Sequence, residues 1–246
     1  MKHICIFVLA IAAILTAGCA AVKPAADNRV TILGSGKMVS QEVAVTDFDR
    51  LDIGFAFDVT VRQGAEFKAT ATVDDNLADY LYLNTVDGTL QIGLKPSFAY
   101  DIPAATMRAE IVMPRLAGLA LSGSSHATLI DFEVTPGFTA ELSGSSALEG
   151  GVKAETVNFT LSGSTRAALS GSGQRVDIDI CGNSVLDLRH FQAEEAKLEA
   201  SCNATVYLDL DGQLIADASQ HAQVIYRGHP DLRGVETVQS ASIHPE

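Results

Sequence analysis

A chain of 246 residues with 30 acidic and 17 basic side chains carries a formal net charge of −13 at pH 7. That balance argues against a nucleic-acid binder and against docking on anionic lipid by charge, because both need a basic surface to meet phosphates. The absence of Trp and the low aromatic content, 6%, count against a lectin face built from sugar-stacking rings.

Lys2 supplies a positive start, and Ile4 to Ala17 form an apolar run of fourteen residues. That is signal-peptide length and short of the roughly 20 residues a membrane span needs. The run closes in Leu15-Thr16-Ala17-Gly18-Cys19, which resembles the lipobox of bacterial lipoproteins, with Leu15 one place early and Thr16 where Leu is commonest. The resemblance implies removal of residues 1–18 and lipidation of Cys19 by palmitate-like acyl chains. Ala20 stands where Asp would mark retention at the inner membrane, so the implied address is the outer membrane of a Gram-negative cell. Residues 19–29 then read as the lipidated cysteine and a short tether. The expected membrane partner is reached through the lipid, since each buried CH₂ contributes ~0.8 kcal/mol and two chains anchor stably. Loss of the leader removes only Lys2 of the 17 basic residues, leaving 16 against 30 acidic ones.

Residues 30–246 read as one domain. Its first half, about 30–115, is β-rich and irregular: Leu51 to Val61, Phe67 to Val73, Thr89 to Leu94 and Met107 to Met113 alternate apolar and polar residues, the mark of strands with one buried face. Asp87-Gly88 predicts a hairpin turn. Asn76 to Asn84 is the one stretch that reads as a helix, with Asp75 or Asn76 as its N-cap.

From about 116 to 228 the chain repeats itself. L-S-G-S-S begins at Leu121 and Leu142, L-S-G-S-T at Leu161, and I-C-G-N-S at Ile180; A-S-C-N-A at Ala200 and A-S-Q-H-A at Ala218 are decayed copies. The steps between Ser122, Ser143, Ser162, Cys181, Ser201 and Ser219 are 21, 19, 19, 20 and 18 residues. A period near 20 residues is the signature of a solenoid whose rungs bury their apolar faces on one another. Leu119/Leu121, Ala140/Leu142, Phe159/Leu161, Ile178/Ile180, Leu198/Ala200 and Ala216/Ala218 form an inward column before each corner. Ala120, Glu141, Thr160, Asp179, Glu199 and Asp217 form the outward column between them. Gly123, Gly144, Gly163 and Gly182 suit a corner that needs positive φ. The small residues Ser125, Ser146, Thr165, Ser184, Ala204 and Ala222 fit a tight inward position, and Asn183 and Asn203 are placed to stack as an amide ladder. The fold class is all-β, a parallel β-helix or β-solenoid preceded by a less regular β-rich half.

Gly34-Ser35-Gly36, V-T-D-F-D-R-L-D-I at 45–53, V-T-V-R-Q-G at 59–64, V-D-G-T-L-Q-I at 86–92 and V-M-P-R-L at 112–116 occur in that order before the repeats. Together they resemble the auto-transporter adhesin "head GIN domain" family of bacterial envelope proteins. The resemblance implies a right-handed parallel β-helix-like fold and adhesion by analogy, and brings no catalytic residues.

The repeated serines do not read as nucleophiles, because six copies of one motif cannot each own a base. The histidines His3, His126, His190, His221, His229 and His244 share no column. No catalytic residue and no cofactor is expected. Glu141, Asp179, Glu199 and Asp217 form a weak Ca²⁺ candidate beside the plainer reading of a solvated acidic face. Cys181 and Cys202 lie on successive rungs of an exported chain, which favours a disulfide. They are offset by one place, though, and a bond needs Cβ atoms within ~3.5–4.5 Å. Phe55, Phe57, Tyr80, Tyr82, Phe98 and Tyr100 read as core or end-capping aromatics, with a ligand groove as the alternative.

Two functions compete. One is a non-enzymatic, lipid-anchored binding or adhesion module for an envelope or extracellular glycan or protein. The other is a polysaccharide lyase, or else an envelope scaffold; in the lyase, Asp179, Glu199 and Asp217 would supply the acids and Arg175 or Arg189 the base. The rungs favour the module, since 18–21 residues leave no room for cleft-building loops. Oligomeric state is open.

Overall fold

The computed structural model describes residues 29–96 and 99–246. The leader at 1–18, Cys19, nearly all of the tether and Phe98 lie outside them.

Strands β1 (Arg29–Thr31) and β2 (Met38–Val43) lead into β3 (Arg50–Ile53), β4 (Asp58–Gln63) and β5 (Lys68–Asp74). A 3₁₀ helix at Asp75–Tyr80 precedes β6 (Leu81–Val86) and β7 (Thr89–Leu94), then β8 (Ala99–Asp101), β9 (Met107–Met113) and β10 (Gly118–Leu121). Five long strands follow: β11 (His126–Leu142), β12 (Ala147–Leu161), β13 (Arg166–Ile180), β14 (Val185–Ala200) and β15 (Thr205–Gln220). The chain closes with β16 (Gln223–Arg227), β17 (Asp231–Gln239) and β18 (Ser242–Pro245). Among the described residues no helix is long and apolar enough to cross a membrane.

Each long strand bends midway, at register shifts such as those between Leu129 and Phe132 and between Val134 and Gly137, and so serves two walls. The first halves of β11 to β15, together with β9, β4, β16 and β18, make one parallel wall; β5 and β2 extend it antiparallel. The second halves, with β7, β3, β10 and β17, make the other, and β6 closes its near edge antiparallel. This is the predicted β-solenoid.

The inward columns fall where the alternation places them, and Phe57, Phe132, Phe138, Phe159 and Phe191 are fully buried between the walls. Each such side chain contributes roughly 1.5–3 kcal/mol on leaving water. The interior is therefore packed with side chains along its length.

Two sequence expectations change. The helix predicted for Asn76 to Asn84 stops at Tyr80, has Asp74 at its N-cap, and gives way to β6. Leu81 and Leu83 pack on the core as strand residues because β7 needs an antiparallel partner at the edge of the wall. The Asp87-Gly88 turn forms as expected, with φ of +48° and +74°. Second, the solenoid begins well before residue 116. Ile53 pairs with Leu121 and Asp58 with His126, so β3–β4 is a full rung whose corner is Gly54-Phe55-Ala56-Phe57. A still earlier rung is formed by β7 and β9, which pair with β3 and β4 although they follow them in the chain.

Candidate functional site

At the corner joining the two walls, residues 122–125, 143–146, 162–165, 181–184 and 201–204 stack as four-residue turns. Ser143 N donates to Leu121 O, Ser162 N to Leu142 O and Cys181 N to Leu161 O, each at 2.9 Å. Gly123, Gly144, Gly163 and Gly182 have φ from +72° to +87°, and a Cβ on Gly163 would stand 2.6 Å from the carbonyl oxygen of Gly144. Phe55, Cys202, Gln220 and Gln239 continue the same left-handed column with φ from +62° to +65°. The small inward residues are sealed in. Ser125 Oγ donates to Ser122 O at 2.8 Å, Ser146 Oγ to Ser143 O at 3.0 Å, and Thr165 Oγ1 to Ser184 Oγ at 3.0 Å. Their hydroxyls are satisfied by these bonds, as burial requires. The repeated serines build the turn. Asn203 Nδ2 donates to Asn183 Oδ1 at 3.0 Å, the expected ladder. Cys181 and Cys202 are both half-buried thiols with no disulfide between them.

The second wall presents the outward column. Register places Gln91, Asp52, Ala120, Glu141, Thr160, Asp179, Glu199, Asp217 and Glu236 side by side in that order. The column read from the repeats is correct and extends at both ends. Among the described residues no three of His, Cys, Asp or Glu converge to hold a metal. Glu141, Asp179, Glu199 and Asp217 make a ladder rather than a cage, because outward side chains one rung apart run parallel to one another.

The residues named for a lyase are not assembled. Arg175 lies two outward positions from Asp179 on the same strand, roughly 13 Å along it at 3.3 Å per residue. It is bound to Glu195 at 3.0 Å, and that hydrogen bond raises the Arg175 pKa above its ordinary value. Arg189 stands near the bend of β14, hydrogen-bonded to Asp187 and stacked 4.5 Å from the centre of the Tyr207 ring. Both guanidiniums are held as cations in ion pairs, away from the column.

Where β10 crosses this wall the outward positions are Gly118 and Ala120, and the missing side chains leave a dent of about 620 Å³. Arg50, Asp52, Gln91, Thr139 and Glu141 surround it, with Val86 on one side. The Arg50 stem lies over Gly118, whose Cβ would stand 3.4 Å from Arg50 Cγ. Among the described residues neither Arg50 nor Asp52 has an ion-pair or side-chain hydrogen-bond partner. Burial pushes the Asp52 carboxyl up from its ordinary value. Gln91 Oε1 accepts from the Tyr82 hydroxyl at 3.2 Å, which leaves its amide nitrogen to donate outward. Sequence reasoning placed Ala120 in the outward column. It missed Asp52 and Arg50 as its neighbours, because no repeat letter ties β3 to β10.

Of the aromatics, Phe57 is core, as expected. Phe55 and Tyr80 each meet Tyr100 edge-to-face, at centroid distances of 5.6 and 5.9 Å. They cover the corner beside β7, an end-capping role.

The fold defines the class of the protein: a β-solenoid of stacked parallel strands. The chain belongs to the family described as "Putative auto-transporter adhesin, head GIN domain", whose model matches residues 47–230. Among solved structures it is similar to a "putative adhesin" from Bacteroides fragilis, with TM-score 0.74 and 15% identity over 87% of this chain and 100% of that one. It is also similar to a "Putative lipid binding protein" from Parabacteroides distasonis, with TM-score 0.70 and 18% identity over 88% and 100%. A "putative adhesin" from Parabacteroides merdae gives 0.66 and 14% over 88% and 99%. No curated protein matches the chain. At these identities the neighbours define the fold alone. Family membership supports an adhesion or binding role at a bacterial cell envelope or surface.

Proposed function

We propose that this protein is a lipid-anchored, non-enzymatic module of the bacterial outer membrane that binds an envelope or extracellular partner along its second wall. The observation that carries this reading is the continuity of that wall. Strands β11 to β15 are joined by corners of four residues, so nothing is inserted to build a cleft over the sheet, and the outward side chains form one uninterrupted surface. A surface of that kind suits recognition of an extended partner. The leader motif ending in Cys19 supports the lipid anchor. The packed interior, with five phenylalanines fully buried, supports binding on the outside rather than enclosure of a ligand.

Capture from fractionated envelope glycans and proteins on the immobilised full chain tests the reading, and retention of a defined fraction is expected. Release of unsaturated product from acidic polysaccharides would overturn it in favour of a lyase.

A further inference from the structure

We infer that the dent over β10 is a binding site for a neutral saccharide, an inference that rests on the binding role proposed above and names its ligand class. The argument starts from what the dent leaves unsatisfied. Asp52 is half-buried, its carboxyl is raised by burial, and among the described residues no side chain or backbone group donates to it. A carboxylate kept partly from water without a donor is a free-energy cost that a hydrogen-bonding ligand relieves. Arg50 stands two residues away on the same face, equally without a partner. Gln91 adds a second donor, because its oxygen is already engaged by Tyr82. The dent therefore offers acceptors and donors together, over a floor made of the Ala120 methyl and the Arg50 stem.

The ligand classes separate on this chemistry. A lone divalent cation does not fit. Asp52 and Glu141 lie two rungs apart, roughly 10 Å, whereas oxygens sharing one Ca²⁺ approach it to about 2.3–2.6 Å. An anionic ligand meets three carboxylates, Asp52, Asp87 and Glu141, on a chain of net charge −13. A neutral polyol fits, since each hydroxyl donates to a carboxylate and accepts from a guanidinium or amide, while its C–H face rests on the apolar floor. The volume of about 620 Å³ is in the range of small-ligand pockets, about 300–1,000 Å³. No stacking ring is required, which reconciles the site with a chain that has no Trp.

The test is the detergent-solubilised full chain on an array of neutral, uronate-bearing and sulfated glycans, followed by calorimetric titration with the strongest neutral one. Neutral glycans should bind above the anionic ones. Asp52→Asn, which removes the acceptor charge, and Ala120→Leu, which fills the dent from its floor, should each weaken binding by about tenfold or more, the size of effect expected for a lost charged hydrogen bond. Asp179→Asn, in the same column but outside the dent, should bind as the parent does. Binding to no neutral glycan, preference for anionic glycans, or equal affinity of all three variants overturns the inference. Loss of glycan binding with envelope capture retained removes the saccharide site alone; loss of both removes the binding role as well.

Discussion

Cys202 stands one rung beyond Gly182 in the same left-handed backbone position, with φ of +65° against +79°, and Asn203 N donates to Gly182 O at 2.9 Å across the two turns. A side chain in that region costs roughly 1–2 kcal/mol. Cys202→Gly should therefore stabilise the fold by about 1 kcal/mol, which is about 2–4 °C in Tm for a domain of this size. The reverse change is worse, because a Cβ at Gly163 meets the Gly144 carbonyl at 2.6 Å. Gly163→Ala should cost more than about 2 kcal/mol. Thermal melts of the two variants check both signs, and equal melting of Gly163→Ala and parent would remove the stacked-corner account.

The same corner decides the thiols. Cys202 takes the left-handed place and Cys181 the preceding one, and both side chains are half-buried thiols. Residues 29–246 purified without reductant should titrate with two thiols per chain under denaturing conditions. A titre of zero would mean that the pair oxidises.

Asp52 gives a pH dependence of one sign. Burial holds its carboxyl above the ordinary value, so between the two values the native chain binds more protons than the unfolded one. Its contribution to stability is then most favourable below the ordinary carboxylate range and declines as pH rises through the raised value. Asp52→Asn should stabilise the protein slightly at pH 7, by an amount that its partial exposure to solvent keeps under ~1 kcal/mol, and leave it unchanged near pH 3, while weakening saccharide binding. Urea midpoints at the two pH values read this directly. A destabilised Asn variant at pH 7 would contradict it.

Asp187 behaves oppositely. The hydrogen bond from Arg189 holds its carboxyl below the ordinary value, so its stabilisation is present above that value and is lost as pH falls through the depressed one. The pair is partly exposed, at 25% and 35% of side-chain area, and screening limits it to under ~1 kcal/mol. Asp187→Asn should lower the urea midpoint at pH 7 and match the parent in strong acid. Arg189→Lys should lower it too, because Lys keeps the charge but loses the planar fork over the Tyr207 ring. A lysine variant as stable as the parent would show that charge alone matters there.

The lipid anchor is tested apart from the folded domain. A fatty-acid probe supplied to cells expressing the full chain should label the wild type and not Cys19→Ala. Equal labelling of both would remove the lipoprotein reading.

How much was legible follows from which residues carried a repeated letter. The corners from Ser122 to Ser219 could be aligned by eye, and the inward, outward and small-residue columns followed because side chains alternate with a period of two along a strand. Asn183 over Asn203 followed from that alignment. The corner at Phe55 has the same left-handed backbone as Gly123, yet shares no letter with it. A turn conformation is a backbone property, and Phe can be held in it by the rungs around it. The strand after Tyr80 was similarly hidden, since a short stretch ending in Leu-Tyr-Leu suits either helix or strand until β7 is present to pair with it.

By itself, then, the sequence determined the solenoid, its corner chemistry and the acidic column, because each depends on contacts between copies of one short pattern. Only the tertiary structure decided that β3–β4 slots between β7–β9 and β10–β11, out of chain order. That insertion is fixed by long-range pairing of strands that do not resemble one another. It alone brings Arg50 and Asp52 beside Gly118 and Ala120 and so creates the dent.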